Sequence, residues 1–313
     1  MKQMTIKPIV KYIGGKSWLG DKLREKLEIV GAPTSYGEAF FGGGGSFFQV
    51  VNQLNCPTVY INDISTPVIS LYTAVMHSPD ELLEFYDAIE DGFSHTCPDI
   101  MTSDKTQLQD AKAYFETIKG EFNKGKSNPS DRIALASYFM FLQQHSFNGI
   151  YRENKKGEYN TPFNWKGSRF PIEEMRKRVY DVLGVYQRFD NVIFSNVDVF
   201  DLDTSSGTWY FDPPYINDAG GENAYSTGGF STNHQLALME KVKECEAFIY
   251  SNHNVQLITD GFAGYDYEIV GRRNIMSTKA DNRNELRDEL LIWGQYATTF
   301  NYTNISYMVD YRN

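Results

Sequence analysis

The chain has 313 residues, 41% of them hydrophobic, which suits one large α/β domain with an insertion, or two modest domains, and supplies enough apolar surface for a sizeable core. No apolar run reaches membrane-spanning length and the start, MKQMTIKPIV, lacks a signal-peptide core, so a cytoplasmic protein is expected; Cys56, Cys97 and Cys245 fit no disulfide framework, and the five histidines lack metal-ligand spacing. The net charge of −10 argues mildly against a polyanionic partner, yet residues 112–190 hold 14 Lys+Arg against 9 Asp+Glu, so a segment of +5 sits in a remainder of −15 and could form a local polyanion-binding face.

The first predicted element is SWLGDKLREKLEIV (17–30), an amphipathic helix with Leu19, Leu23 and Leu27 four residues apart. SYGEAF (35–40) reads as a strand ended by glycines 42–45. TVYIND (58–63) is a second strand, and PVISLYTAVM (67–76) a helix after it. Such a β-α-β-α start is the pattern of a parallel sheet. From Pro79 to Asp190 helical patterns dominate, among them DRIALASYFMFLQQH (131–145), with GIYRENKKGEYNTPF (149–163) as a hairpin carrying Lys155, Lys156 and Gly157 at its tip. Strands resume with NVIFSN (191–196), TWYFDP (208–213), AFIYSN (247–252), YDYEIV (265–270) and ELLIWG (289–294). A helix is expected over 232–245, and DAGGENAYSTGG (218–229) has the composition of a lid.

Four stretches could carry chemistry, and each has a plainer reading beside it. EAFFGGGGSFF (38–48) puts glycines at a strand tip, where a ligand can approach the backbone; a simple turn fits equally. Glu38 and Asp63 end successive strands, where an acid can grip ribose hydroxyls, but Asp63 also suits a helix cap. In WYFDPPY (209–215) the carboxylate of Asp212 and the carbonyl of Pro213 can together accept both hydrogens of an amino group on a base that Tyr215 stacks against. Accepting both pushes the nitrogen toward a tetrahedral, nucleophilic form. The alternative is a Pro-Pro turn. KYIGGK (11–16) is either a glycine turn or a place where Tyr12 and Lys16 meet a charged, aromatic cofactor.

KYIGGK, EAFFGGGGSFF, YIND, FNGIYRENKKGEYNTPF, WYFDPPY, AYSTGGFS and FIYSNHN occur in this order, and together they resemble the Dam-type (D12 class, α-group) DNA adenine-N6 methyltransferases over about 11–294. The resemblance implies a Rossmann-like class I methyltransferase sheet with an inserted, mainly helical DNA-recognition domain carrying a β-hairpin. The catalytic domain would be 1–78 with 190–297, the recognition domain 79–189, and 298–313 a C-terminal extension without counterpart. S-adenosylmethionine would be bound by Tyr12, Lys16, Glu38, Phe40, Gly42, Gly44, Asp63, Asp198 and Asp212. Asp212, Pro213, Pro214 and Tyr215 would be catalytic on a flipped-out adenine. Lys11, Asn148, Arg152, Lys155, Lys156, Tyr225 and Phe230 would contact double-stranded DNA, with no metal needed. Tyr12 stands where the family often has Trp, Ala39 where it has Pro. His145 and Ser146 replace residues of the best-known members, so their target sequence does not carry over. A restriction partner leaves no mark in the sequence. Methylation of cytosine N4 or RNA adenine, and non-catalytic DNA binding on the same fold, are the alternatives.

Overall fold

The computed structural model describes residues 6–12, 14–96, 104–165, 171–215, 230–273 and 286–295. A short 3-10 turn, Ser17–Leu19, leads into α1 (Gly20–Val30), and its Leu19, Leu23 and Leu27 are all buried, as their spacing predicts. Then come β1 (Ser35–Glu38), α2 (Phe47–Val50), β2 (Thr58–Asn62) and α3 (Thr66–His77), which starts with Pro67 in its first turn. The strand expected over 35–40 stops at Glu38, because Ala39 and Phe41 leave the ladder for isolated bonds to Tyr210 O and Asn62 O.

The crossover from β2 to β3 is long and helical: α4 (Pro79–Thr96), α5 (Lys105–Ser127), α6 (Arg132–His145) and α7 (Ile172–Tyr186). Asp104 and Asp131 cap α5 and α6 by accepting backbone N–H groups, so the polar breaks between them act as start signals. α7 returns to the sheet, where Tyr186 packs on Phe47 and Phe194. The chain ends its described course through β3 (Asn191–Ser195), β4 (Thr208–Phe211), α8 (Thr232–Lys243), β5 (Ala247–His253), α9 (Gln256–Gly261), β6 (Asp266–Arg273) and β7 (Leu286–Gln295). The short helices α2 and α9 were not expected from the sequence, being too brief to show a period.

The seven strands lie in the order β3-β2-β1-β4-β5-β7-β6, all running the same way except β7, which is antiparallel to both neighbours. Both faces are covered. Tyr210 and Ile249 enter the cluster under α1, α3 and α7, while Trp209, Phe211, Phe248 and Tyr250 enter the cluster under α8 and α9. Burial on both sides explains why WYF reads as an unbroken apolar run. The first cluster continues without a break into α4, α5 and α6 through residues such as Phe93, Phe115 and Phe141. Among the described residues no helix is long and apolar enough to cross a membrane.

Strand order reverses between β1 and β4, so their carboxyl ends open the crevice where ligands of parallel α/β sheets bind. The glycine-rich bend after β1 forms its floor. Gly44 has φ +73°, and a Cβ there would lie 2.6 Å from Phe48 Cε2 and 2.7 Å from Phe41 Cζ. Gly44→Ala is expected to combine left-handed strain with overpacking, each costing roughly 1–3 kcal/mol. Urea unfolding with a midpoint equal to that of the parent would show that the bend tolerates a side chain.

Candidate active site

Glu38 and Asp212 lie at the tips of the two strands that flank the reversal. Glu38 is completely buried; Tyr36 Oη donates to its Oε1 at 3.1 Å and Ser46 Oγ to its Oε2 at 2.8 Å. Burial, with a contribution from the Asp212 charge, pushes Glu38 up to about 8, although the bonds from Ser46 and Tyr36 pull the other way. Glu38 thus props the glycine bend from beneath. At the tip of β2, Asp63 accepts Gly42 N at 2.7 Å and Ser65 N at 2.8 Å, one on each oxygen. Burial raises it to about 6. Ser65, the N-cap of α3, makes no side-chain capping bond, so Asp63 closes a turn into α3 and ties the bend to it at once. Tyr12 lies over this floor: a Cβ on Gly42 would touch its ring at 3.0 Å. Phe40 is half-buried on the other side, edge-on to Phe230, which stacks parallel to Phe200. Asp198 is exposed and accepts Phe200 N at 3.0 Å.

The WYFDPPY stretch forms the wall. Lys16 Nζ sits 2.9 Å from Asp212 Oδ1 and 3.0 Å from Oδ2, and 4.4 Å from the centre of the Tyr215 ring. Its side chain is only 4% exposed. Ser251 Oγ donates to Asp212 Oδ1 at 3.0 Å and is itself bonded to Tyr210 Oη. Gln235 donates to Pro214 O at 2.6 Å and is held by Tyr250 Oη and Asn252. Tyr215 Oη donates to Glu289 Oε2 at 3.1 Å, and the His253 ring meets Tyr215 edge-on at 4.7 Å. A carboxylate and an aromatic face therefore converge on one point, and the Lys16 ammonium, which also donates to Gly14 O at 2.8 Å, already fills it.

Four of the DNA-side candidates, Asn148, Arg152, Lys155 and Lys156, lie on the turn after α6. Asn148 and Gly149 are both left-handed, with φ 57° and 58°. The expected hairpin over 149–163 exists as a turn with two isolated bridges, Ser146 to Phe163 and Glu153 to Tyr159, rather than a regular ladder among the described residues. Helix α5 supplies what the ladder lacks. Asn123 takes both backbone groups of Tyr159, accepting its N–H at 2.7 Å and donating to its carbonyl at 3.3 Å. Lys126 donates to Gly157 O at 2.6 Å and pairs with Glu153. Lys155 and Lys156 stand exposed at the tip, and Arg152 is exposed with Nε on Asn160 Oδ1. Lys11 reaches this turn, donating to Asn148 O at 3.3 Å. Tyr225 lies outside the described residues.

Gln143, Gln235, Ser251, Glu289, Asn123 and Lys126 belong to this arrangement and were not singled out from the sequence. Their partners are distant in the chain, and a lone Gln or Asn on a helix carries no local signal. Phe147 and Trp165, 52% and 46% exposed at the neck of the turn, were also passed over; large exposed aromatics beside a cationic hairpin are the sign that could have found them.

A family model described as D12 class N6 adenine-specific DNA methyltransferase matches residues 12–278. The chain is 27% identical over 302 residues to a type II methyltransferase, M.MjaIII, of Methanocaldococcus jannaschii, covering 92% of this chain and 99% of that one. It is 24% identical to a DNA adenine methylase of Haemophilus influenzae, covering 94% and 98%, and 26% identical to the DNA adenine methylase of Escherichia coli K12, covering 90% and 93%.

Glu38 makes the site measurable by pH. Its folded value, about 8, lies above the ordinary 4.5, so the stability from its neutral form is full below about 4.5 and is lost as pH rises through 8. Asp63 shifts the same way but only up to about 6. Between pH 6 and 8 Glu38 should therefore contribute a falling slope approaching 1.4 kcal/mol per pH unit, roughly, that Glu38→Gln removes. Parallel stability curves for the two proteins over that range, from urea unfolding, would contradict a neutral buried Glu38.

Proposed function

The chain belongs to the D12 class of N6 adenine-specific DNA methyltransferases, and from that premise we propose how its residues divide the work. The enzyme moves a methyl group from a donor to N6 of adenine at particular sites in DNA. Its donor is S-adenosylmethionine, held over the glycine bend by Tyr12, Lys16, Glu38, Phe40, Gly42, Gly44, Asp63 and Asp198. Glu38 would act from below, by shaping the bend, since its oxygens face Tyr36 and Ser46. Asp63, buried at the tip of β2, is suited to ribose hydroxyls. Residues 79–189 form the target-reading part and 190–297 complete the catalytic domain.

The observation that carries the reading is the Lys16 ammonium between the Asp212 carboxylate and the Tyr215 ring. It marks a position built to accept N–H bonds against an aromatic face, which is what a stacked adenine presents at N6. A base inside a duplex cannot reach a strand-tip crevice, so it is flipped out. As N6 arrives, Lys16 gives up its bonds to Asp212. Asp212 and the Pro213 carbonyl accept the two amino hydrogens and localise the nitrogen lone pair. Gln235 occupies the Pro214 carbonyl and so fixes the bend that aims Pro213. When bound, the donor supplies a methyl on a sulfonium, already activated for in-line displacement. The new C–N bond leaves N6 with one proton too many, and Asp212 is placed to take it. Tyr215, braced by Glu289 and His253, stacks on the base.

Two experiments test this division. Asp212→Ala is expected to abolish single-turnover methyl transfer while the folded protein still binds duplex DNA; a near-parental rate would sink the mechanism. On the recognition side, Arg152 suits bidentate pairing with a guanine edge, worth about 1–3 kcal/mol of discrimination, whereas tip lysines suit phosphates, which position without reading. Arg152→Ala should relax one base position in the profile of methylated sites. Lys155→Ala with Lys156→Ala should weaken all duplexes alike and flatten the salt dependence of binding. A site profile and salt slope untouched by either change would exclude the hairpin as the reading element.

A further inference from the structure

We propose that Gln143 is a positioning residue that locks the recognition turn and the 11–16 segment into one frame, so that the base being read and the adenine being methylated keep a fixed separation. The inference rests on the assignment of the hairpin to DNA and of Asp212 to the chemistry, and goes one step beyond it. Gln143 lies in the last turn of α6 and is 2% exposed. The end of its amide faces two backbone carbonyls, Gly149 O at 2.7 Å and Lys11 O at 2.8 Å; an oxygen there would meet only acceptors, so the nitrogen is assigned to that side, where it donates to both. A primary amide has two N–H donors, so one side chain satisfies both carbonyls.

Those carbonyls belong to pieces of chain that are remote in sequence and different in task. One carries Asn148 and Arg152. The other leads within five residues to Lys16, which holds Asp212. Lys11 Nζ bridges the same pieces through Asn148 O, and the ring of Tyr12 stacks on Tyr151 at 6.1 Å and 15°. A cavity of about 240 Å³ lies between the two pieces, lined by Lys11, Tyr12, Gly14, Gly43, Gly149 and Ile150 among others. At the start of the turn Asn148 and Gly149 are consecutive left-handed residues, and the supports from Asn123 and Lys126 reach only its far part, at Glu153, Gly157 and Tyr159. Across that cavity the Lys11 bond and the Tyr12–Tyr151 stack are joined by a donor shared by both sides, which adds a directional tie to backbone.

The test begins with the parent's recognition site, obtained by sequencing the methylated positions it leaves in a host genome. Single-turnover rates are then measured with saturating enzyme and S-adenosylmethionine on the cognate duplex and on duplexes with one altered base pair. Gln143→Met keeps the length and removes the donors. Its cognate rate should fall about 10- to 100-fold, the loss that small misplacement of reacting groups brings, and the rate on altered duplexes should fall less, so that discrimination narrows. S-adenosylhomocysteine affinity of the free enzyme should fall far less than the cognate rate, because Asp63 and the glycine bend are held independently of Gln143, a split that general loosening of the fold would not give. Gln143→Asn carries the same readout with an amide kept in the core, one methylene too short to span both carbonyls, and should fall in the same direction. A folded Gln143→Met or Gln143→Asn protein with parental rates and discrimination would reduce Gln143 to core packing. Arg152→Ala run alongside separates the two levels. A profile altered by Arg152→Ala with parental Gln143→Met kinetics overturns the frame alone; a profile unaltered by both overturns the hairpin assignment and the frame with it.

Discussion

Lys16 is buried, and a buried ammonium has to be paired. Asp212 meets it at 2.9 Å, and the Tyr215 ring lies 4.4 Å away. This contact joins a segment near the start of the chain to a strand tip nearly two hundred residues later, and much of the site follows from it. Asp212 stays where it is because Ser251, on the neighbouring strand β5, holds one of its oxygens. The Pro-Pro bend stays open because Gln235 takes the second proline's carbonyl. Tyr215 is braced from β7 by Glu289. On the proposed reading a substrate amino group takes the place of the lysine, and until then the pair keeps both groups satisfied.

Beneath that wall the chain solves a second problem, how to bring backbone close to a ligand without losing rigidity. Glycines supply the approach but resist ordering. Rigidity comes from acids and rings around them: Asp63 holds Gly42 N, Glu38 holds Ser46, Tyr72 donates to Gly43 O at 2.7 Å, and Tyr12 covers the bend. Asn62, buried between three strands, donates to Ala39 O and Val197 O and accepts from Ser195. The strand tips of β1, β2 and β3 are thus tied together at the carboxyl edge of the sheet.

The sheet was legible because its strands are buried on both faces and punctuated by Gly, Pro and Asp, and WYFDPPY was legible because chemistry and punctuation coincide there. Glu38 shows where reading by position stops. Its place at a strand tip suggested a ribose ligand, yet side chains two apart on a strand share a face, and Tyr36 points into the core. Glu38 follows it inward, which parity alone could have indicated. The hairpin was placed correctly in the chain, but its support was not, because Asn123 and Lys126 act from a helix whose sequence shows only caps and periodicity. Gln143 and Gln235 were invisible for the same reason: a buried amide is recognised by what it faces, and what it faces is tertiary. The order of motifs along the chain carried the family, since no one of them is specific.

The long crossover between β2 and β3 explains the charge distribution. A parallel pair needs a covering helix between its strands, and one helix would suffice. Here α3 and α7 already pack on each other and on the sheet, while α4, α5 and α6 extend the same core outward. Because they share that core, the turn after α6 projects from packed structure rather than from a linker. Affinity for DNA can then be concentrated in a segment of net +5 while the body stays acidic. On the proposed reading, phosphate contacts made by that segment, at the end of packed helices, would lower the affinity for arbitrary duplex and leave base reading with a larger share of the total.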